Sequence, residues 1–131
     1  MHHFPVISDT FGEINRVLKQ NSKLFISDPT PNEDDTDRFV DDYMQMKKDG
    51  HIKYYTENEF ILLAKGVKMQ LIKSFPTEIT FPRLRETAIG FDEIMKKHNK
   101  KVIDGYNVCL TEDDKYIYIT QNVLNLIFEK A

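Results

Sequence analysis

Residues 105–120, "GYNVCLTEDDKYIYIT", carry the clearest strand signal in the chain and decide its fold class. Two strand-like runs flank the polar tetrapeptide "TEDD", and four residues is a common length for a hairpin loop. Because side chains alternate along a strand, Tyr116 and Tyr118 share one face, and Ile117 and Ile119 share the other. The pattern predicts a C-terminal antiparallel hairpin with buried isoleucines and two tyrosines side by side on the open face.

Helical and strand-like segments alternate upstream of this hairpin. The spacing of apolar residues predicts helices over 10–20, 34–49 and 83–98 and short strands over 23–27, 51–55 and 77–81. Thr56 and Glu59 have the spacing of a capping box, which favours a helix over 56–75, with a hairpin turning at Lys65-Gly66 as the alternative. Residues 121–130 are predicted to form a short helix or a last strand. The fold class is therefore α+β, with four or five helices packed on a small, mainly antiparallel sheet.

Composition limits the class of protein. The chain has 131 residues, a formal net charge of -3 and 40% hydrophobic residues, which predicts one globular domain over 1–131. This acidic balance argues against general affinity for nucleic acid or anionic membranes. A single cysteine, Cys109, excludes an intrachain disulfide, and no apolar run approaches the roughly 18 residues of a membrane span. A cytoplasmic location is expected.

The acidic stretch 28–42, "DPTPNEDDTDRFVDD", raises the question of a metal site. A calcium loop that starts at Asp35 would place Phe39 and Val40 where a ligand and a glycine are needed, so the pattern fails. We predict no metal and no cofactor. The carboxylates either begin and solvate a helix or form an acidic surface for a basic partner protein. The candidate partner-binding residues are Asp34, Asp35, Asp37, Asp41, Tyr116 and Tyr118.

A basic segment provides the alternative hypothesis. A basic helix followed by a hairpin resembles the recognition helix and wing of winged-helix DNA-binding domains, with the acidic "TEDD" as a wing tip that would repel phosphate. This resemblance rests on the order of elements and implies a DNA-binding regulator. The candidate nucleic-acid-binding residues are Arg83, Arg85, Lys96, Lys97 and Lys100.

Signals for catalysis are weak. The common nucleotide, hydrolase and metalloprotease motifs are absent. His51 and His98 are expected at the surface, and Cys109 is expected to be a small buried strand residue, although a dyad of Cys109 with either histidine remains open. The sequence therefore predicts a non-enzymatic protein-binding module of bacterial or viral origin, such as an inhibitor, immunity or regulatory factor. A small enzyme with an unrecognised site is the second alternative, and homo-oligomerisation through the tyrosine face is a further hypothesis.

Overall fold

The computed structural model describes residues 1–131 and confirms the α+β class, with five helices and a four-stranded sheet. The elements follow the order α1 (Ile7–Val17), β1 (Lys23–Thr30), α2 (Phe39–Gln45), α3 (Glu57–Gly66), β2 (Met69–Leu84), α4 (Phe91–Lys97), α5 (Lys100–Asp104), β3 (Cys109–Leu110) and β4 (Tyr116–Lys130). A short 3₁₀ turn, Arg85–Thr87, follows β2. None of the helices combines the length and the apolar character that crossing a bilayer requires.

Strand β4 is the centre of the sheet. It pairs antiparallel with β1, with the long strand β2, and with the two residues of β3, so the strand order is β1-β4-β2 with β3 beside β4. Residues 121–130 are therefore the continuation of a strand, and the predicted C-terminal hairpin is present as β3 and β4.

Each of the two hydrophobic cores contacts a different half of β4. Ile117 and Ile119 are fully buried in one cluster, as predicted, whereas Leu126 and Phe128 are fully buried in the other. Odd-numbered and even-numbered residues of a strand point to opposite faces, so the two halves of β4 bury opposite faces. The connection between α2 and α3 passes between the clusters, since Tyr54 belongs to the first and Tyr55 to the second.

Helix α3 confirms the predicted capping box and ends earlier than expected. The Thr56 hydroxyl accepts a hydrogen bond from the Glu59 amide at 3.2 Å, and the Glu59 carboxylate bonds back to the Thr56 amide at 3.4 Å. The helix stops at Gly66, and Lys68, at φ 60°, turns the chain into β2. The prediction of one helix over 56–75 is therefore wrong in its second half, and the alternative hairpin is wrong in its first half.

The predicted helix over 83–98 is also wrong. Strand β2 continues to Leu84, because Arg83 pairs with Ile117 and Leu84 with Tyr116 in the ladder to β4. Pro76 and Pro82 are tolerated in β2 because it lies at the edge of the sheet and one side of its backbone is free. A helix begins only at Phe91, so the continuous basic helix of the DNA-binding hypothesis does not exist.

The segment around α2 differs from its prediction at both ends. Arg38 is left-handed, at φ 57°, so the helix cannot extend back to residue 34 and starts at Phe39. The buried Asp35 carboxylate accepts hydrogen bonds from the amides of Phe39 and Val40, at 2.6 and 3.0 Å, which satisfies the free donors of the first turn. Residues 51–55, predicted as a strand, have no regular secondary structure.

Candidate functional site

A buried histidine–carboxylate pair lies where α2 meets the loop that follows it. His51 Nε2 is 2.7 Å from Asp41 Oδ1, and the Tyr54 amide donates to the same oxygen at 2.8 Å. The side chains of His51 and Asp41 are only 1% and 10% exposed. Because an ionised carboxylate only accepts hydrogen bonds, Nε2 must carry the proton in this pair, and a neutral His51 therefore has its lone pair on Nδ1.

Local backbone geometry brings this pair together. Asp41 lies in the first turn of α2, where the carboxylate also complements the helix dipole. Gly50 has φ 89°, a left-handed conformation that suits glycine, and it reverses the chain so that His51 packs against α2. The predicted helix over 34–49 is therefore also too long at its C-terminal end, because α2 already ends at Gln45.

The second ring nitrogen of His51 is buried without a partner. His51 Nδ1 has no hydrogen bond, and neither do Asp28 Oδ2, Tyr43 Oη and Gln121 Oε1. A buried polar group without a partner costs about 1–3 kcal/mol. Such atoms usually mark a position that a solvent molecule or a ligand completes. His51 Nδ1 is therefore a buried proton acceptor whose partner is a solvent molecule or a ligand.

A second histidine–carboxylate pair lies beside the first. His2 Nδ1 lies 2.8 Å from Asp28 Oδ1, and the His2 ring is centred 5.4 Å from the ring of His51. The His3 ring is centred 6.3 Å from that of His51. Three of the four histidines in the chain thus lie around one position, although no three histidine, cysteine or carboxylate side chains are arranged to hold a metal ion.

The ring of Tyr54 contacts two of these three histidines. Its ring packs edge-on against His51 with centroids 4.6 Å apart, and edge-on against His2 at 5.0 Å. Burial, followed by the negative charges of Asp28 and Asp41, raises the pKa of the Tyr54 hydroxyl. Tyr54 therefore stays neutral, and it cannot compete with the imidazole as a base.

A similar pair lies on the next residue of α2. His98 Nε2 is 2.6 Å from Asp42 Oδ2, which also accepts a hydrogen bond from Lys97 at 3.2 Å. The Asp42 side chain is 28% exposed, unlike that of Asp41. Burial raises the pKa of the Asp42 carboxyl, but the hydrogen bonds from His98 and Lys97 outweigh this effect, and the net pKa is lowered.

The structure separates the four acidic residues proposed for partner binding. Asp34 and Asp37 are exposed, whereas Asp35 and Asp41 are 3% and 7% exposed and satisfied by internal hydrogen bonds. Asp35 also accepts a 2.6 Å bond from the Tyr106 hydroxyl, whose pKa is raised by burial and by this bond. Asp35 and Asp41 therefore belong to the interior, which corrects the expectation of a solvated helix face.

The other predicted site residues do not form one surface. Tyr116 and Tyr118 are half-buried on the face of β4 opposite Ile117 and Ile119. Arg83 donates from Nη1 to the carbonyl of Tyr43 at 2.8 Å. The remaining basic residues of the DNA-binding hypothesis lie beyond β2: Arg85 bonds to Asp92, and Lys96, Lys97 and Lys100 are exposed on α4 and α5.

Cys109 is exposed on β3, contrary to the expectation of a buried thiol. It forms no dyad, since His51 and His98 bond to carboxylates instead. The sequence interpretation also missed the clustering of His2, His3 and His51, because it treated the first two as terminal and His51 as a surface residue. The available signal was the pair Asp41-Asp42 in a helix with an apolar face, where a carboxylate near the core needs a donor.

Comparison with solved structures shows which proteins share this fold. No protein-family model matches the chain, and no curated protein matches it. The fold is similar to a protein from Bacillus halodurans C-125 that is provisionally assigned as a methyltransferase, with a TM-score of 0.82 and 17% identity over 98% of this chain. It is also similar to the YcgJ protein from Bacillus subtilis, with a TM-score of 0.73 and 18% identity over 98% of this chain. The chain spans 65% and 59% of the lengths of these two proteins.

These similarities overturn the predicted function. The prediction of a non-enzymatic inhibitor, immunity or regulatory module is wrong, because the fold matches that of a protein assigned to an enzyme class. The alternative of a winged-helix regulator also fails, since the first part of its recognition helix is the end of a strand and a 3₁₀ turn, and only Phe91–Lys97 is helical. Identities of 17% and 18% establish a common fold alone.

Proposed function

We propose that the protein is a small enzyme that uses His51 as a general base, and that its reaction is methyl transfer to an acceptor with an O–H or N–H group. The observation that carries the proposal is the buried, unpartnered Nδ1 of His51, opposite the nitrogen that bonds to Asp41. The structural similarity to a provisionally assigned methyltransferase supports the choice of reaction.

The chain's own residues have separate roles in this proposal. Methyl transfer to an O–H or N–H acceptor forms a bond to the methyl carbon, breaks the bond between that carbon and the donor, and releases one proton. His51 Nδ1 takes this proton, and the Asp41 carboxylate stabilises the resulting imidazolium from the other side of the ring. The carboxylate also fixes the ring orientation, as in other histidine–carboxylate pairs.

The described residues do not form the nucleotide-binding site of open α/β folds. Such folds bind nucleotides at the carboxyl ends of parallel strands, beside a glycine-rich turn. All strand pairs here are antiparallel, and the five glycines are scattered singly along the sequence. We therefore assign no residues to the donor, and the proposal concerns the acceptor side of the reaction.

The test compares two histidines that have the same partner chemistry. The chain is incubated with S-adenosylmethionine labelled in its methyl group and with small-molecule and protein fractions from the host, and transfer of label is measured. We expect transfer by the wild type, and a rate lower by about 10²–10⁴-fold in His51→Gln. His98→Gln is the matched control, because His98 also bonds to a carboxylate of α2, and it should transfer label at close to the wild-type rate.

Two results would contradict the proposal. The first is the absence of label transfer by the wild type with every fraction. The second is an equal loss of rate in the His51 and His98 variants, which would indicate a general structural effect. Circular dichroism of each variant confirms that it is folded before its rate is compared.

A cytoplasmic location remains part of the proposal. It rests on composition, since the single cysteine removes any role for an intrachain disulfide in stability. Fractionation of host cells followed by detection of the protein tests it, and recovery outside the cytoplasmic fraction would contradict it.

A further inference from the structure

The side chain of His2 occupies a pocket that is built around it. One wall is the Asp28 carboxylate, 2.8 Å from His2 Nδ1, and Asp28 is 4% exposed. The other walls are the rings of His51 and Tyr54, centred 5.4 and 5.0 Å from the ring of His2. The His2 side chain itself is 22% exposed, so the pocket opens to solvent on the side of this ring.

The pocket suits a flat ring with one N–H donor. Asp28 Oδ1 accepts the hydrogen bond, and Asp28 Oδ2 has no hydrogen-bond partner, although the amino group of Met1 lies 3.9 Å away. His51 Nδ1 is also unpartnered and buried. Hydrogen bonds to a charged acceptor are roughly twice as strong as neutral ones, so Asp28 fixes the orientation of any ring that enters.

The segment that delivers His2 is held at its first two residues. His2 bonds to Asp28, the Met1 amino group lies 3.9 Å from Asp28, and the Met1 side chain packs against the second core cluster. The His2 carbonyl accepts one hydrogen bond from the Ile52 amide at 2.8 Å, and the Phe4 amide donates to the Met1 carbonyl within the segment at 3.2 Å. Phe4 and Val6, which lead into α1, are 44% and 51% exposed. The contacts of Met1 and His2 must therefore break together for residues 1–4 to swing away, whereas the interior walls of the pocket stay in place.

The four main clefts of the molecule do not reach His51. Four clefts with volumes of about 330 to 610 Å³ are lined by other residues. With residues 1–4 in place, the His51 side chain is 1% exposed. A ligand therefore does not reach His51 while residues 1–4 are in place.

We propose that the pocket filled by His2 is a binding site for a nitrogen heterocycle with one ring N–H, imidazole being the simplest example, and that residues 1–4 are a lid whose own imidazole blocks it. The site is a binding site in its own right. It does not depend on the proposed function, because the N–H of the bound ring donates to Asp28 and not to His51.

The test uses imidazole alone and no methyl donor. Imidazole is titrated into His2→Gly and followed by amide chemical shifts of residues 51–55. We expect saturable binding to His2→Gly, at least about tenfold weaker binding to the wild type because His2 competes, and loss of about tenfold or more in the double variant His2→Gly/Asp28→Asn. His3→Gly is the matched control, since His3 is the neighbouring exposed imidazole without a carboxylate partner, and it should bind like the wild type.

Several outcomes would overturn this inference. They are no saturable binding to His2→Gly, binding that is unchanged by Asp28→Asn, or equal binding to His3→Gly. The result is independent of the methyl-transfer assay. Imidazole binding without label transfer removes the proposed function and leaves the pocket, whereas label transfer without imidazole binding removes the pocket alone.

The lid can also be tested in the wild type, without any substitution. The Ile52 amide bonds to the lid, whereas the Tyr54 amide bonds to Asp41 in the interior. If the lid opens separately, the Ile52 amide exchanges with deuterium at least about tenfold faster than the Tyr54 amide. Equal exchange rates for the two amides would contradict a separately opening lid.

Discussion

Asp41 and Asp42 are neighbours on α2, and each holds a histidine from another part of the chain. The two pairs have nearly equal lengths, 2.7 Å for His51–Asp41 and 2.6 Å for His98–Asp42. Consecutive residues of a helix point about 100° apart, so the first carboxylate faces the interior and the second the rim. One helix thus presents the same chemical pair in two environments.

The difference lies in what else each pair contacts. Asp42 is 28% exposed and shared with Lys97, so its charge is compensated by two donors and by water. The Asp41 side chain is 10% exposed and bonds only to interior groups, and its histidine has an unpartnered nitrogen. A histidine–carboxylate pair is therefore a candidate for catalysis when the second nitrogen of its histidine is buried and unpartnered. It is a structural contact when its carboxylate is partly exposed and shared with another donor.

The largest expected effect on stability comes from removing the interior carboxylate. Asp41→Ala leaves His51 Nε2 and the Tyr54 amide buried without an acceptor, which should lower the free energy of unfolding by about 2–4 kcal/mol. Asp42→Ala removes a side chain that is 28% exposed, so water can replace it beside His98 and Lys97, and it should cost about 0.5–1.5 kcal/mol. Urea unfolding of both variants measures the difference. Equal losses would show that the two pairs contribute equally to stability and would contradict the distinction between an interior and a rim pair.

The second expected effect is a pH dependence specific to the rim pair. The pKa of Asp42 is lowered below its ordinary value of 3.8. A lowered pKa in the folded state means that the stabilisation is present above the unfolded-state value and is lost as the pH falls through the folded-state value. The difference in unfolding free energy between the wild type and Asp42→Ala should therefore be largest above pH 3.8 and shrink below it. A difference that stays constant across this window would contradict the assignment.

The smallest expected effect comes from Lys97. Its side chain is 67% exposed, so its 3.2 Å pair with Asp42 is screened by solvent. Lys97→Met should change the free energy of unfolding by less than about 0.5 kcal/mol, and less still in high salt. A larger loss that persists in salt would mean that Lys97, rather than His98, is the main partner of Asp42. Unfolding at two ionic strengths separates these cases.

Local signals predicted the fold class and several elements correctly. The alternation of tyrosine and isoleucine around Ile117 and the Thr56–Glu59 capping box depend on neighbours within a few residues, and both are confirmed. The helix expected over 83–98 failed because β2 is stabilised by its long ladder to β4, a contact that local spacing does not contain. Tertiary pairing overrode local propensity there.

The candidate site could not be predicted for the same physical reason. His2 meets Asp28 across 26 positions, and His51 meets Asp41 across a loop whose conformation depends on Gly50. A histidine in isolation is usually a surface residue, and only the fold places three imidazoles beside two buried carboxylates. The burial of Asp35 and Asp41 could likewise not be predicted, because both lie in a stretch whose composition is typical of solvent-exposed chain.

The most direct measurement of the central claim is the tautomer of His51. Long-range ¹H–¹⁵N NMR of the four imidazoles at pH 8.5, where histidine is ordinarily neutral, distinguishes a protonated nitrogen from a free one. We expect His51 to carry its proton on Nε2, towards Asp41, and Nδ1 to be unprotonated and able to accept a proton. A proton on Nδ1, or rapid averaging between the two nitrogens, would contradict it.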